Sequence, residues 1–272
     1  MKERRAGGHP PGRGERRPPD EAVVLYGWHP VVEALRGGRR GVRRLVATEN
    51  AARRLEEALG GLSIAPEIVR PDQLSRLVEP DAVHQGLLLY ADPLPAPGLD
   101  GFGPESLLLA LDQVTDPHNV GAVVRSAAAF GVDGILTTHR HSPALTGVLA
   151  KAASGGLEHV PFVTVGNLGN ALVELGRAGF TRVGLDSEGA EPLEALPLRA
   201  PLVLVLGAEG RGLRQRTRET CDVVGRLDMP GAVKSLNVSN AAAIALHVAT
   251  GALGRRGLPA ARHPRPDDAG PG

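Results

Sequence analysis

Apolar residues recur along this chain in two rhythms. Predicted strands at 107–111, 134–137, 160–165, 181–185, 202–206 and 223–227, of which 107–111 and 202–206 are unbroken apolar runs, alternate with helical periodicity at 120–130, 144–153, 168–178, 213–221 and 238–253. A strand that is apolar at every position is buried on both faces, and the helices between such strands supply the covering layers. Residues 105–254 therefore predict an α/β domain, a parallel sheet with helices on both faces. A second, smaller α/β pattern precedes it at 23–92. Strands are predicted at 23–26, 42–47, around Ile64 and 68–69, and at 86–90, with helices at 29–35, 51–59 and 71–77. Pro30 suits the first turn of a helix, and Gly60 with Gly61 suits a helix end. Trp28 is assigned to the core.

Between the two patterns, residues 93–104 hold Pro93, Pro95, Pro97, Gly98, Gly101 and Gly103. They read as a linker stiffened by proline. Residues 1–22 and 255–272 are Arg, Gly and Pro with few apolar side chains, and are expected to be disordered tails.

Composition narrows the class. The 272 residues carry a net charge of +1 and 42% hydrophobic residues, enough for a buried core. No apolar run approaches the ~18 residues of a membrane span, and the polar N-terminus does not resemble a secretory signal. A cytoplasmic location is expected. The single Cys221 excludes an intramolecular disulfide and a cysteine-based zinc cluster. His139 and His141 lack partners for a metal site, so no metal is expected. Arginines cluster as Arg4-Arg5, Arg16-Arg17, Arg39-Arg40, Arg43-Arg44 and Arg53-Arg54. Paired guanidinium groups suit phosphate, although the same usage also serves solubility. Aromatics are only 3%, which argues against a base-stacking platform.

Three loops carry the candidate chemistry. They follow the predicted strands ending at Leu111, Leu206 and Leu227, at the carboxyl edge where an open parallel sheet binds ligands. The first, Asp112-Gln113-Val114-Thr115-Asp116-Pro117-His118-Asn119, lacks the glycines of a dinucleotide fingerprint, and no phosphate-binding G-x-x-x-x-G-K-[ST] exists. The second is Gly207-Ala208-Glu209-Gly210-Arg211-Gly212. The third, Leu227-Asp228-Met229-Pro230-Gly231-Ala232-Val233-Lys234-Ser235-Leu236-Asn237, leads into the last helix.

The first loop continued through Val120-Gly121-Ala122-Val123-Val124-Arg125-Ser126 resembles motif 1 of the SpoU (TrmH-like) RNA ribose methyltransferases. The second and third loops resemble motifs 2 and 3, in the same order and spacing. The likeness covers residues 105–254. Leu25-Tyr26-Gly27 and His84-Gln85-Gly86 resemble the small domain of the large-subunit rRNA guanosine methyltransferase (RlmB-like) branch. Asp228-Met229-Pro230 reverses a common Pro-Met order, and Lys234 stands where a small residue is frequent.

The resemblance implies an L30e-like RNA-binding domain and a catalytic domain with a C-terminal trefoil knot. It implies S-adenosyl-L-methionine as methyl donor and a homodimer with the site near the subunit interface. The acceptor it implies is a ribose 2′-hydroxyl, here of a 23S rRNA guanosine. A tRNA methyltransferase and a non-catalytic RNA-binding assembly protein are the alternatives. The implied catalytic set is Arg125, Asn119, Glu209, Ser235 and Asn237, and the implied cofactor-binding set is Gly207, Leu227 and Leu236. Arg125 would take the 2′-hydroxyl proton or hold the acceptor phosphate, since arginine normally stays charged. Asn119, Ser235, Asn237 and Ser239 also suit helix caps. Glu209 would order its loop or pair with Arg125. His84, on a loop edge, suits a surface position, with RNA contact as the alternative.

Overall fold

The computed structural model describes residues 22–80, 82–139, 147–233 and 235–255. The readings made for the tails, His141, the start of the helix placed at 144–153 and Lys234 lie outside those residues.

The first unit runs β1 (Val23–Tyr26), α1 (Trp28–Gly37), β2 (Val42–Ala47), α2 (Glu49–Leu59), β3 (Glu67–Ile68), α3 (Pro71–Ser75) and β4 (Leu87–Ala91). Its sheet has the order β1-β4-β2-β3, with β4 antiparallel to both neighbours and β3 parallel to β2. Ile64 lies outside any strand. Trp28 is only partly buried: it opens α1, and the guanidinium of Arg54 lies 4.5 Å from its ring centroid. Arginine stacking keeps the indole at the rim, which corrects its placement in the core.

The second unit runs β5 (Leu107–Asp112), α4 (Pro117–Ala129), β6 (Gly134–Thr138), α5 (Gly147–Ala153), β7 (Phe162–Val165), α6 (Leu168–Arg177), β8 (Thr181–Leu185), β9 (Glu191–Pro192), β10 (Leu202–Gly207), α7 (Gln215–Thr220), β11 (Val223–Arg226) and α8 (Val238–Ala252). All seven strands are parallel, in the order β7-β6-β5-β10-β8-β11-β9. Strand alternation explains the two layers. Leu107, Leu109, Leu111, Leu202, Leu204 and Leu206 face α4, α5 and α8. Leu108, Ala110, Val203 and Val205 face α6 and Leu213. Both sets are buried, so each strand reads as an unbroken apolar run.

The short β9 and the 3-10 turns at Leu99–Gly101, Gly156–Glu158 and Leu193–Ala195 carry no periodic signal, because they are too short to show one. Residue 255, read as the start of a tail, is tied down: the Arg255 guanidinium pairs with Asp133 at 3.1 Å and donates to Gly131 O at 3.1 Å.

Candidate active site

β5 and β10 are neighbours, and their last residues, Asp112 and Gly207, are register partners. The chain runs from β5 outward through β6 and β7, whereas β10, β8 and β11 lie on the other side. The first two loops thus leave the sheet side by side at a topological switch point. Gln113 turns the chain sharply off β5 with φ +62°, a left-handed conformation uncommon for a residue with a side chain.

α4 starts at Pro117, three residues before the predicted boundary. Its cap is Asp116, whose carboxylate accepts from His118 N at 3.1 Å and Asn119 N at 3.4 Å. Proline at the first helical position costs no hydrogen bond, so the helix extends to include it. Asn119 is therefore not the cap, and its side chain serves another contact.

Two carboxylates at strand ends hold the second loop. Asp112, whose side chain has no exposed surface, accepts from Arg214 N at 3.0 Å and Arg214 Nε at 2.7 Å. Asp186, one residue past β8, accepts from Leu213 N at 3.4 Å and pairs with Arg218 at 3.1 Å. β10 lies between those two strands, so its loop is tied from both sides. The loop folds back on itself: Gly212 N donates to Ala208 O at 2.9 Å. A Cβ on Gly207 would overlap the Gly212 carbonyl group. The close approach that needs glycine here is thus made by the loop's own backbone.

The third loop returns from β11 across β8 and β10 to α4. Asn237 caps α8 by accepting from Ser239 N at 2.9 Å, and its amide donates to Asn119 Oδ1 at 2.9 Å. Ser239 Oγ donates to Asn237 Oδ1 at 2.6 Å. Asn237 fulfils the capping reading, whereas Ser235 is exposed and is not the cap of α8. Leu227 and Leu236 are half-buried. Among the described residues, the peptide groups of Leu227, Asp228, Gly231, Ala232, Val233, Ser235 and Leu236 make no backbone–backbone hydrogen bond outside regular elements.

Asn119 and Asn237 are therefore brought together, and Gly207 stands beside the first loop. Arg125 lies two turns along α4, exposed, about 9 Å along the axis from Asn119. Glu209 is exposed on the second loop. Among the described residues Arg125 and Glu209 form no ion pair, so the pairing suggested for them is not made within one chain. Sequence reading missed Asp112 and Asp186 as supports. For Asp112 the signal was a carboxylate placed directly after the unbroken apolar run 107–111, where burial demands a partner.

Two surface concavities, of about 270 Å³ beside α2 and about 460 Å³ between α6 and α7, are lined by no residue of the three loops. Among the described residues no group of His, Cys, Asp and Glu could hold a metal, and no helix is long and apolar enough to cross a membrane. Burial pushes the Cys221 thiol up to about 12, which removes it as a nucleophile near neutral pH.

A parallel sheet with three loops gathered over its carboxyl edge, rich in unspent peptide groups, defines an α/β protein with a ligand-binding site at that edge. Residues 106–247 match the SpoU rRNA methylase family, and residues 24–97 match an RNA 2′-O ribose methyltransferase substrate-binding family. The 23S rRNA (guanosine-2′-O-)-methyltransferase RlmB of Ralstonia nicotianae is 37% identical over 234 residues, covering 83% of this chain and 94% of that protein. An uncharacterized tRNA/rRNA methyltransferase of Mycobacterium sp. strain KMS is 38% identical, covering 85% and 78%. The SpoU methyltransferase AviRb of Streptomyces viridochromogenes, solved with S-adenosylmethionine, superposes with a TM-score of 0.72 at 26% identity, covering 84% and 89%. The chain belongs to the SpoU rRNA methylase family, and is an RNA 2′-O-methyltransferase that uses S-adenosylmethionine.

The residues present fit that cofactor. The third loop supplies peptide groups without backbone partners, and the half-buried Leu227 and Leu236 supply apolar surface, the two kinds of surface such a cofactor requires. Gly207 and the second loop close the adjoining side.

Proposed function

We propose that this chain methylates the ribose 2′-hydroxyl of a guanosine in 23S rRNA. The observation that carries the reading is the extent of similarity to the Ralstonia enzyme, which runs through both sheets and covers 94% of that protein. The four-stranded unit would present the rRNA, and the seven-stranded unit would perform the transfer. The proposed division is 23–92 for the RNA-binding domain, 93–104 for the linker and 105–254 for the catalytic domain, with an L30e-like fold for the first and a trefoil knot in the second.

When bound, the donor supplies an electrophilic methyl group on a sulfonium. The chain's own task is to align and activate the acceptor. Arg125 would take the 2′-hydroxyl proton, or hold the acceptor phosphate while another group takes it. Asn119 and Asn237 would orient the acceptor as a bonded pair. Ser235, exposed and not the cap of α8, would contact ribose or phosphate. Gly207, Leu227 and Leu236 would hold the donor through main-chain groups.

The proposed assembly is a homodimer in the cytoplasm. The outer faces of α4 and α8 carry Arg125, Asn240 and Ile244, the last 42% exposed. Pairing these faces would cover that apolar surface and bring Arg125 toward the partner's loops, where Glu209 could meet it.

The test is mass spectrometry of rRNA and tRNA from a deletion strain. One lost ribose methyl on a 23S guanosine is expected. The Mycobacterium relative keeps tRNA as a second reading, so a methyl lost from tRNA would replace the substrate. Unchanged RNA in both pools would remove the proposal.

A further inference from the structure

Between the two sheets lies a buried ion pair that the chemistry above does not use. Arg40, in the turn before β2, donates through Nε to Glu158 Oε1 at 2.7 Å, and their side chains are 2% and 3% exposed. Arg40 Nη1 also donates to Asp92 O at 2.9 Å, at the end of β4. The neighbouring Arg39 guanidinium donates to the Glu158 carbonyl oxygen. Glu158 closes the 3-10 turn that follows α5. Its other oxygen, Oε2, is buried without a hydrogen-bond partner among the described residues. A buried carboxylate with one oxygen unsatisfied is costly, and it depends on its arginine.

Other contacts cross the same seam. Lys151 Nζ on α5 donates to Val83 O at 2.8 Å, and His159 Nε2 lies 3.1 Å from Glu33 Oε2 on α1. The Tyr26 ring packs directly on Gly147, and a Cβ on Gly155 would lie 2.6 Å from Glu33 Cγ. The opposite side of the same segment rests on α4. A Cβ on Gly156 would meet Val124 O at 3.1 Å and Arg125 Cα at 3.3 Å, and one on Gly121 would overlap Ala152. α5 and its 3-10 turn thus form a spacer. One side touches the four-stranded unit, and the other touches the backbone of the helix that carries Asn119 and Arg125.

We propose that Arg40 and Glu158 are positioning residues: their buried pair locks the four-stranded domain to the spacer beneath Arg125, so that the RNA-presenting domain and the Arg125 helix move as one body. The inference rests on the reading of the first domain as RNA-presenting and of Arg125 as acting on the acceptor. Its consequence is registration. Without the lock, the proline-rich segment at 93–104 and the more exposed seam contacts would be left to relate the bound RNA to Arg125. With it, the distance between them is fixed before RNA binds.

The lock is read first without substrate. Spin labels at Glu56→Cys on α2 and Glu174→Cys on α6 report the distance between the two units in the full chain, with the half-buried Cys221 changed to Ser so that only the two introduced thiols are labelled. The native pair should give one narrow distribution. Arg40→Gln and Glu158→Gln should each broaden it, and Arg40→Lys, which keeps the charge, should largely restore it. In parallel, kcat for methyl transfer to a 23S rRNA fragment should fall roughly 10- to 100-fold in the two Gln variants, as expected for ångström-scale misplacement. Their affinity for S-adenosylmethionine by calorimetry should match that of the native protein. A role in stability alone would lower the melting temperature and leave the distances and kcat in place. Unbroadened distances in both Gln variants, or broadened distances with native kcat, would overturn the proposal. If the native protein transfers no methyl to RNA, the functional reading fails, while the distances still decide whether the lock exists.

Discussion

The side-chain amide of Asn237 donates to the side-chain carbonyl oxygen of Asn119 across 2.9 Å, joining residues 118 positions apart. This bond ties the third loop to the start of α4, and it is possible because Asp116 has taken the capping role. Asn237 performs two tasks with one amide, since its oxygen caps α8 while its nitrogen reaches Asn119.

That division of labour sets a ranking of stability losses. Asn119→Ala removes only the bridging hydrogen bond, about 1 kcal/mol. Asn237→Ala removes the bridge and the cap, about 2 kcal/mol together. Asp116→Ala removes a cap alone, about 1 kcal/mol. Urea unfolding should give this order. Activity should separate the variants differently, with Asn119→Ala impaired in transfer and Asp116→Ala near native. Equal transfer rates in those two would deny Asn119 a role beyond packing.

Asp112 should prove necessary to the donor site as the support of the second loop. Its buried carboxylate holds Arg214 through a backbone and a side-chain donor. Asp112→Ala should lower stability by about 2 kcal/mol, a value kept modest because the 41%-exposed Arg214 side chain can turn to water. The freed second loop should also weaken S-adenosylmethionine affinity, measured by calorimetry. Unaltered affinity alongside reduced stability would show that the tie serves the fold and not the site.

Gly207 and Gly231 make a matched pair for the same measurement. A Cβ at Gly207 would overlap the Gly212 carbonyl group, so Gly207→Ala must displace the second loop. Donor affinity should fall roughly tenfold or more, because binding depends on loop geometry. A Cβ at Gly231 has nothing within 4 Å, so Gly231→Ala leaves the chain's own packing intact. Comparable losses in both would mean that the donor itself, rather than Gly212, crowds these positions.

How much of this was readable in the sequence depends on what each residue touches. The strands of the larger sheet were legible because residues such as Leu107 to Leu111 are buried on both faces, and burial writes an unbroken apolar run. The first two loops were legible because each follows such a run, and the third because its Pro, Gly and small polar residues separate a strand from an Ala-rich helix. The start of α4 was misplaced because Pro117 looked like part of a loop, and its compatibility with a first helical position was overlooked. The Asp112 and Asp186 ties, the Asn119–Asn237 bond and the Arg40–Glu158 pair were not legible. Each joins residues far apart in the chain, and no local periodicity records such a meeting. His84, read as a surface residue, is half-buried and bonded on both ring nitrogens.

That last correction carries a pH dependence. His84 Nδ1 accepts from Gly86 N at 3.0 Å, so the neutral ring keeps its proton on Nε2, facing Ser75 Oγ at 3.0 Å. Burial lowers its pKa below the usual 6.5, and the Lys151 ammonium across the domain seam lowers it further. The unfolded chain therefore binds a proton at higher pH than the folded one. Between the folded value and about 6.5, stability rises with pH. The full contribution is present above about 6.5, and it is lost as pH falls through the folded value. Protonation would also remove the acceptor that holds Gly86 N, at a glycine with φ +80° that orders the entry to β4. Urea midpoints measured from pH 7.5 down to pH 5 should decline in the native protein. His84→Gln, which does not titrate, should show a shallower decline over that interval. A variant slope equal to the native slope would place the titrating group elsewhere.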